Sequence, residues 1–74
     1  MPYVNIKITK EGGPNGAGPS IVDKNRLIAG VTELLHDVLG KNPATTFVVI
    51  DEVELEHWGI GGLPVEEYRK SKAT

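Results

Sequence analysis

A chain of 74 residues with no cysteine cannot rely on disulfides, iron–sulfur clusters or thiolate metal sites, and two histidines, His36 and His57, are too few for a zinc pattern. Its 8 basic and 10 acidic residues give a net charge of −2 and form no basic stripe, which argues against nucleic acid as a partner. No apolar run approaches the ~18 residues of a membrane span, and no basic segment precedes an apolar one at the start, so the expectation is a cytoplasmic protein without a membrane partner.

Met1 is followed by Pro2, and initiator methionine is normally removed before proline, which would leave a free secondary amine at the head of the chain. Residues 3–9 alternate Val4, Ile6 and Ile8 against Tyr3, Asn5 and Lys7, the period of a half-buried strand. An amine borne by a strand is held in place, unlike most chain ends. Residues 11–19 read as a loop by their glycines and prolines. Ser20, with Asp23 three residues on, predicts a helix N-terminus, and the helix runs from about Ile21 to Leu39. Leu27, Ile28, Val31, Leu34, Leu35 and Val38 form one continuous apolar face; Gly40 and Pro43 end the element. A second strand, rich in β-branched residues, is predicted over Thr45–Val53, placed inside a sheet because both its faces are largely apolar. Trp58-Gly59-Ile60-Gly61-Gly62 predicts a tight turn or short hairpin. The tail from Pro64 to Thr74 predicts a short helix around Val65–Lys70 that then frays.

Strand, helix, strand in this order implies a parallel pair joined by a right-handed crossover. Two strands do not make a stable sheet alone, and one helix covers only one of its faces. A domain of this size buries only roughly 60% of its unfolded surface. With disulfides and thiolate metal sites excluded, self-association is the remaining source of burial, and subunits are expected to combine their sheets.

The loop Gly16-Ala17-Gly18-Pro19-Ser20 lacks the Gly-Lys-Ser/Thr of a phosphate loop and the third glycine of a dinucleotide fingerprint, and reads instead as a connector or subunit contact. His36 and Asp37 are adjacent on a helix, where side chains diverge, and form no dyad. Glu54, Glu56 and His57 read as a solvated or interface-facing acidic turn rather than a metal site, and no serine sits in a nucleophile elbow. No metal or cofactor is called for. Trp58, the only tryptophan, is either an apolar plug at a subunit contact or the wall of a dry pocket. Such a wall would matter to Pro2: an α-amino group titrates near ~8, and apolar burial lowers it towards the range of a general base.

Taken in order, Met-Pro at the start, a short strand, one amphipathic helix, a β-branched second strand and His57-Trp58-Gly59-Ile60-Gly61-Gly62 resemble the 4-oxalocrotonate tautomerase family. The resemblance runs from Pro2 to about Arg69 and implies one tautomerase-like domain over residues 1–74. It implies an α/β (α+β) fold, a β-α-β subunit with a short C-terminal hairpin. Pairs of subunits would share four-stranded sheets, and the pairs would gather into a homohexamer. It also implies an isomerase whose N-terminal proline moves a proton alpha to a carbonyl in a small enol or 2-oxo acid. Carried onto this chain, Pro2 is the base and Trp58 the aromatic pocket residue, supplied by a neighbouring subunit. The family's two substrate-binding arginines have no counterpart: the first region reads Thr9-Lys10-Glu11 and the second Thr46-Phe47-Val48, while the only arginines are Arg26 and Arg69. Lys10 stands nearest the first position, with Lys7 as another possibility, and is expected to bind substrate, though as a point charge and not as a bidentate fork. Two alternatives accompany this reading: a relative with decarboxylase or hydratase-like chemistry, and a non-catalytic oligomeric binding protein.

Overall fold

The computed structural model describes residues 1–72. Strand β1 (Tyr3–Thr9) leads through a glycine-rich loop to helix α1 (Ile21–Leu39), strand β2 (Phe47–Val53), a hairpin of β3 (Gly59–Ile60) and β4 (Leu63–Pro64), and helix α2 (Val65–Lys72). β1 and β2 are parallel, with Tyr3 opposite Phe47, Ile6 opposite Ile50 and Thr9 opposite Val53. This is the β-α-β subunit with a C-terminal hairpin expected from the sequence, and its class is α+β.

Local chemistry sets the boundaries. The Ser20 hydroxyl accepts from the Asp23 amide at 3.1 Å and the Asp23 carboxylate accepts from the Ser20 amide at 3.3 Å, a complete capping box. Gly40 closes α1 in the left-handed conformation, its amide donating to the His36 carbonyl. β2 begins at Phe47 rather than Thr45, because Asn42 claims the preceding residues. Its side chain accepts from the Ala44 amide at 2.9 Å and its carbonyl accepts the Thr46 hydroxyl at 2.9 Å, winding Pro43–Thr45 into a 3₁₀ turn. α2 continues to Lys72, past the predicted Lys70, with Glu66 and Glu67 in its first turn and Arg69, Lys70 and Lys72 in its last, as the helix dipole favours. The fraying predicted after Lys70 does not occur at Ser71 and Lys72, which are helical; the rest of it falls on residues 73 and 74, outside the described residues.

α1 packs on β2, and the Lys24–Glu52 ion pair places its first turn beside the C-terminal end of that strand. The apolar face of α1 divides in two. Val31 and Leu35 are half-buried towards the sheet, whereas Leu34 and Val38 are exposed, Val38 at 70%. The sheet divides likewise. Val4, Ile6, Val48 and Ile50 are half-buried, while Tyr3 and Phe47 share the other face, 65% and 53% exposed.

Among the described residues Val65 is the one buried hydrophobic side chain. The accessible surface is 5456 Å², about 1,000 Å² more than a compact monomer of this mass shows. The radius of gyration is 15.8 Å, against about 11 Å for a compact chain of this length. Among the described residues no helix is long and apolar enough to cross a membrane.

Candidate functional site

Pro2 immediately precedes β1, and its carbonyl accepts the Phe47 amide at 3.0 Å. That bond joins the residue before β1 to the first residue of β2 and fixes the proline against the sheet. Pro2 is half-buried, and Met1 before it is exposed. Tyr3 and Phe47, paired in register, set two aromatic rings on the sheet face beside this end. Sequence reasoning missed Phe47 as a neighbour of Pro2; the signal is the register, which becomes readable once β2 is started after the Asn42 turn.

Lys10 and Trp58 lie at the other end. Lys10 is eight positions along an extended strand from Pro2, a separation of about 26 Å at ~3.3 Å per residue. Trp58 follows the 3₁₀ turn Leu55–His57 just past β2, where its amide donates to the Leu55 carbonyl at 3.1 Å and its carbonyl accepts the Val65 amide at 2.8 Å. The fold therefore brings Lys10 and Trp58 to one end of the sheet and leaves Pro2 at the opposite end of the same chain.

The Lys10–Trp58 end is rich in ion pairs. The Lys10 amide donates to the Val53 carbonyl at 2.9 Å, and its ammonium pairs with Glu54 at 2.9 Å. The hydrogen bond and charge of Glu54 raise the Lys10 pKa above its ordinary 10.5. Glu11 accepts the Thr9 hydroxyl at 2.6 Å and both terminal nitrogens of Arg69, at 2.9 and 3.0 Å. Arg69 first, then Thr9, pulls the Glu11 carboxyl down to about 2. Sequence reasoning did not anticipate this pair, and only tertiary contact joins residues so far apart.

Lys7 is likewise engaged, with Asp51 at 2.9 Å. The hydrogen bond from Asn5, then that from Lys7 and its charge, lower the Asp51 pKa. A cleft of about 330 Å³ is lined by Lys10, Glu54, Leu55, Glu56, Glu66 and Glu67 among others. Its one cation faces four carboxylates, so the single chain offers an anion little attraction there. Glu54, Glu56 and His57 are exposed, and among the described residues no group of three or more His, Asp or Glu is placed to hold a metal ion.

The loop after β1 bonds to itself. The Gly18 amide donates to the Gly12 carbonyl at 2.9 Å, Gly16 to Gly13 at 3.2 Å and Ala17 to Pro14 at 3.1 Å. These amides are spent internally rather than aimed at an anion, in keeping with a connector rather than a phosphate cradle.

A parallel β-α-β unit followed by a short hairpin and a C-terminal helix places the chain in the class of small α+β proteins. A family model described as Tautomerase enzyme matches residues 2–68, and the chain belongs to that family. It is 59% identical over 70 residues to probable tautomerase K2 of Dickeya dadantii (strain 3937), covering 95% of this chain and 96% of the relative. Among solved structures it is similar to DmpI from Helicobacter pylori, at 42% identity with a TM-score of 0.80 over 93% of this chain and 97% of that one. It is also similar to YwhB, described as a homologue of 4-oxalocrotonate tautomerase, at 26% identity with a TM-score of 0.70, covering 89% and 97% of the two chains.

Proposed function

We propose that this protein is a proline-dependent tautomerase of small enols or 2-oxo acids. In this reading Pro2, freed of Met1, is the base. The carrying observation is the position of Pro2, joined to both parallel strands by its bond to Phe47 at 3.0 Å. The prolyl nitrogen takes the hydroxyl proton of an enol, the negative charge spreads between oxygen and carbon, and the prolinium returns the proton to carbon. Pro2 is regenerated and no redox partner is needed.

Trp58 would come from a second subunit. A two-fold axis through a shared sheet makes its equivalent edge strands antiparallel, so the C-terminal end of one β1 lies beside the N-terminal end of the other. That arrangement turns Lys10 and Trp58 of one chain towards Pro2 of its partner. Open strand edges, the bare Tyr3/Phe47 face and the surface excess all favour it, and a hexamer built from three such dimers is the proposed assembly. All 74 residues would form one domain of that assembly.

The substrate is proposed to carry at most one carboxylate. Val48 stands where the resemblance asks for an arginine, and Lys7, Lys10, Lys24 and Arg69 are each paired with a carboxylate of the same chain. Lys10 would need to exchange Glu54 for substrate. Ketonisation of phenylpyruvate enol and of 2-hydroxymuconate, followed with wild type and Pro2→Ala, tests the proposal. The expected loss for Pro2→Ala is about 10²–10⁴-fold in kcat/KM, the range for a general base. Equal rates would sink it. N-terminal mass must show Met1 absent from the active form, because an amide nitrogen has no basicity.

A further inference from the structure

Trp58 reaches the sheet through a short relay of contacts. Its carbonyl accepts the Val65 amide at 2.8 Å, which fixes the start of α2 against the residue before the hairpin. Val65 is 7% exposed and Arg69 lies four residues on, so the two share one face of α2. Arg69 then grips Glu11 with two nitrogens, and Glu11 is steadied by the Thr9 hydroxyl at the last residue of β1. Tyr68 supports the hairpin from the same helix: a side chain on Gly61 would come within 3.0 Å of its ring.

The Trp58 backbone is thus tied to the end of β1 by one strong fork. The chain direction alone does not fix its place, because the residues between β2 and α2 form only a short 3₁₀ turn and a hairpin of two-residue strands. A bidentate guanidinium–carboxylate pair sets both distance and angle, whereas an ammonium sets only distance. The neighbouring Lys10–Glu54 pair is a single contact of the second kind.

We infer that the Glu11–Arg69 clasp is a positioning device that sets where Trp58 stands relative to the end of β1, and so shapes the wall offered to the partner's proline. Neither residue touches the reacting atoms. The inference rests on the proposed role of Trp58 as pocket wall, but its physical core, the placement of Trp58, does not depend on catalysis by Pro2.

Being the only tryptophan, Trp58 reports on itself by fluorescence. Arg69→Ala, Arg69→Lys, Glu11→Gln and the reversed pair Glu11→Arg with Arg69→Glu are compared with wild type in the full chain, at matched native mass. For Arg69→Ala the expected result is a red-shifted Trp58 emission and a KM raised about tenfold, with kcat within about twofold. Arg69→Lys keeps part of the wild-type emission and KM, because charge without the fork is not equivalent, and the reversed pair lies nearer wild type than Arg69→Ala or Glu11→Gln. Should Arg69→Ala fail to fold or assemble, Glu11→Gln decides by the same two readings. An emission and KM equal to wild type in the folded single variants overturn the inference, and so does a KM change with an unmoved emission. A red shift restored by the reversed pair, in a protein that ketonises nothing even as wild type, keeps the clasp and overturns the tautomerase reading alone.

Discussion

The carbonyl of Pro2 is committed to Phe47, so its ring is anchored on one side while its nitrogen faces the chain start. An N-terminal extension that blocks processing should therefore abolish proton transfer as fully as Pro2→Ala while leaving the helix and strand signals of circular dichroism intact; retained activity in a blocked chain would contradict the assignment. Gly61 is equally position-bound. Its φ of 63° is unfavourable for residues with a side chain, and an added Cβ would press on Tyr68 at 3.0 and 3.1 Å. Gly61→Ala should cost about 1–2 kcal/mol from the left-handed conformation alone, read from urea unfolding at fixed protein concentration. Glu11 supplies a pH signature. Its folded-state pKa of about 2 lies below the ordinary 4.5, so its contribution is complete above pH 4.5 and disappears as pH falls towards 2. The charge facing it is Arg69, on which Glu66 also acts. The stability gap between wild type and Glu11→Gln should narrow through that acid window; a gap that widens there would contradict the pairing.

At the level of elements, α1 and β1 were readable because their signals are local. Ser20 and Asp23 lie within one turn, Gly40 ends the helix it follows, and the alternation of Val4, Ile6 and Ile8 needs no partner to be seen. Ser20→Ala should cost about 1 kcal/mol, measured in the same urea assay, and Asp23→Ala should remove the other half of the box. The expected and observed starts of β2 differ by two residues because β-branching at Thr45 and Thr46 favours strand while Asn42, a side-chain acceptor, favours a turn, and the hydrogen bonds go to the turn. α2 extends two residues past the expected Lys70, since a charged sequence carries little apolar period to mark its end. Pro2, Lys10 and Trp58 were legible as residue types in a familiar order. Their separation follows from the parallel pairing that the element order implies: Pro2 lies at one end of the sheet and the other two at the far end. The Glu11–Arg69 and Lys10–Glu54 pairs were beyond reach, because charges far apart in sequence show no pattern that selects one partner over another.

The whole molecule is an incomplete body, with a long radius of gyration, one buried hydrophobic side chain among the described residues and two half-used apolar surfaces. Native mass spectrometry should find multiples of the single-chain mass, and activity per chain should fall on dilution as the assembly separates. A stable, fully active monomer would overturn this account of burial. A mixing experiment tests the divided site directly. Pro2→Ala and Trp58→Ala chains, unfolded together and reassembled, should regain activity above the mean of the two parents, because about a quarter of the sites in a random mixture of two-fold pairs carry both intact groups.

The bare strand edges also bear on the life of the chain before it has a partner. Among the described residues β1 and β2 each have only one strand neighbour, so a newly made copy presents unpaired amides and carbonyls along two sides. Its final maturation is then a reaction of second order or higher, with a rate set by how many siblings are present. At low copy number the nascent chain waits, exposed to proteases and to mispairing with unrelated strands. Synthesis of several copies from one message, close together in space, would shorten that wait more than any gain in intrinsic folding speed.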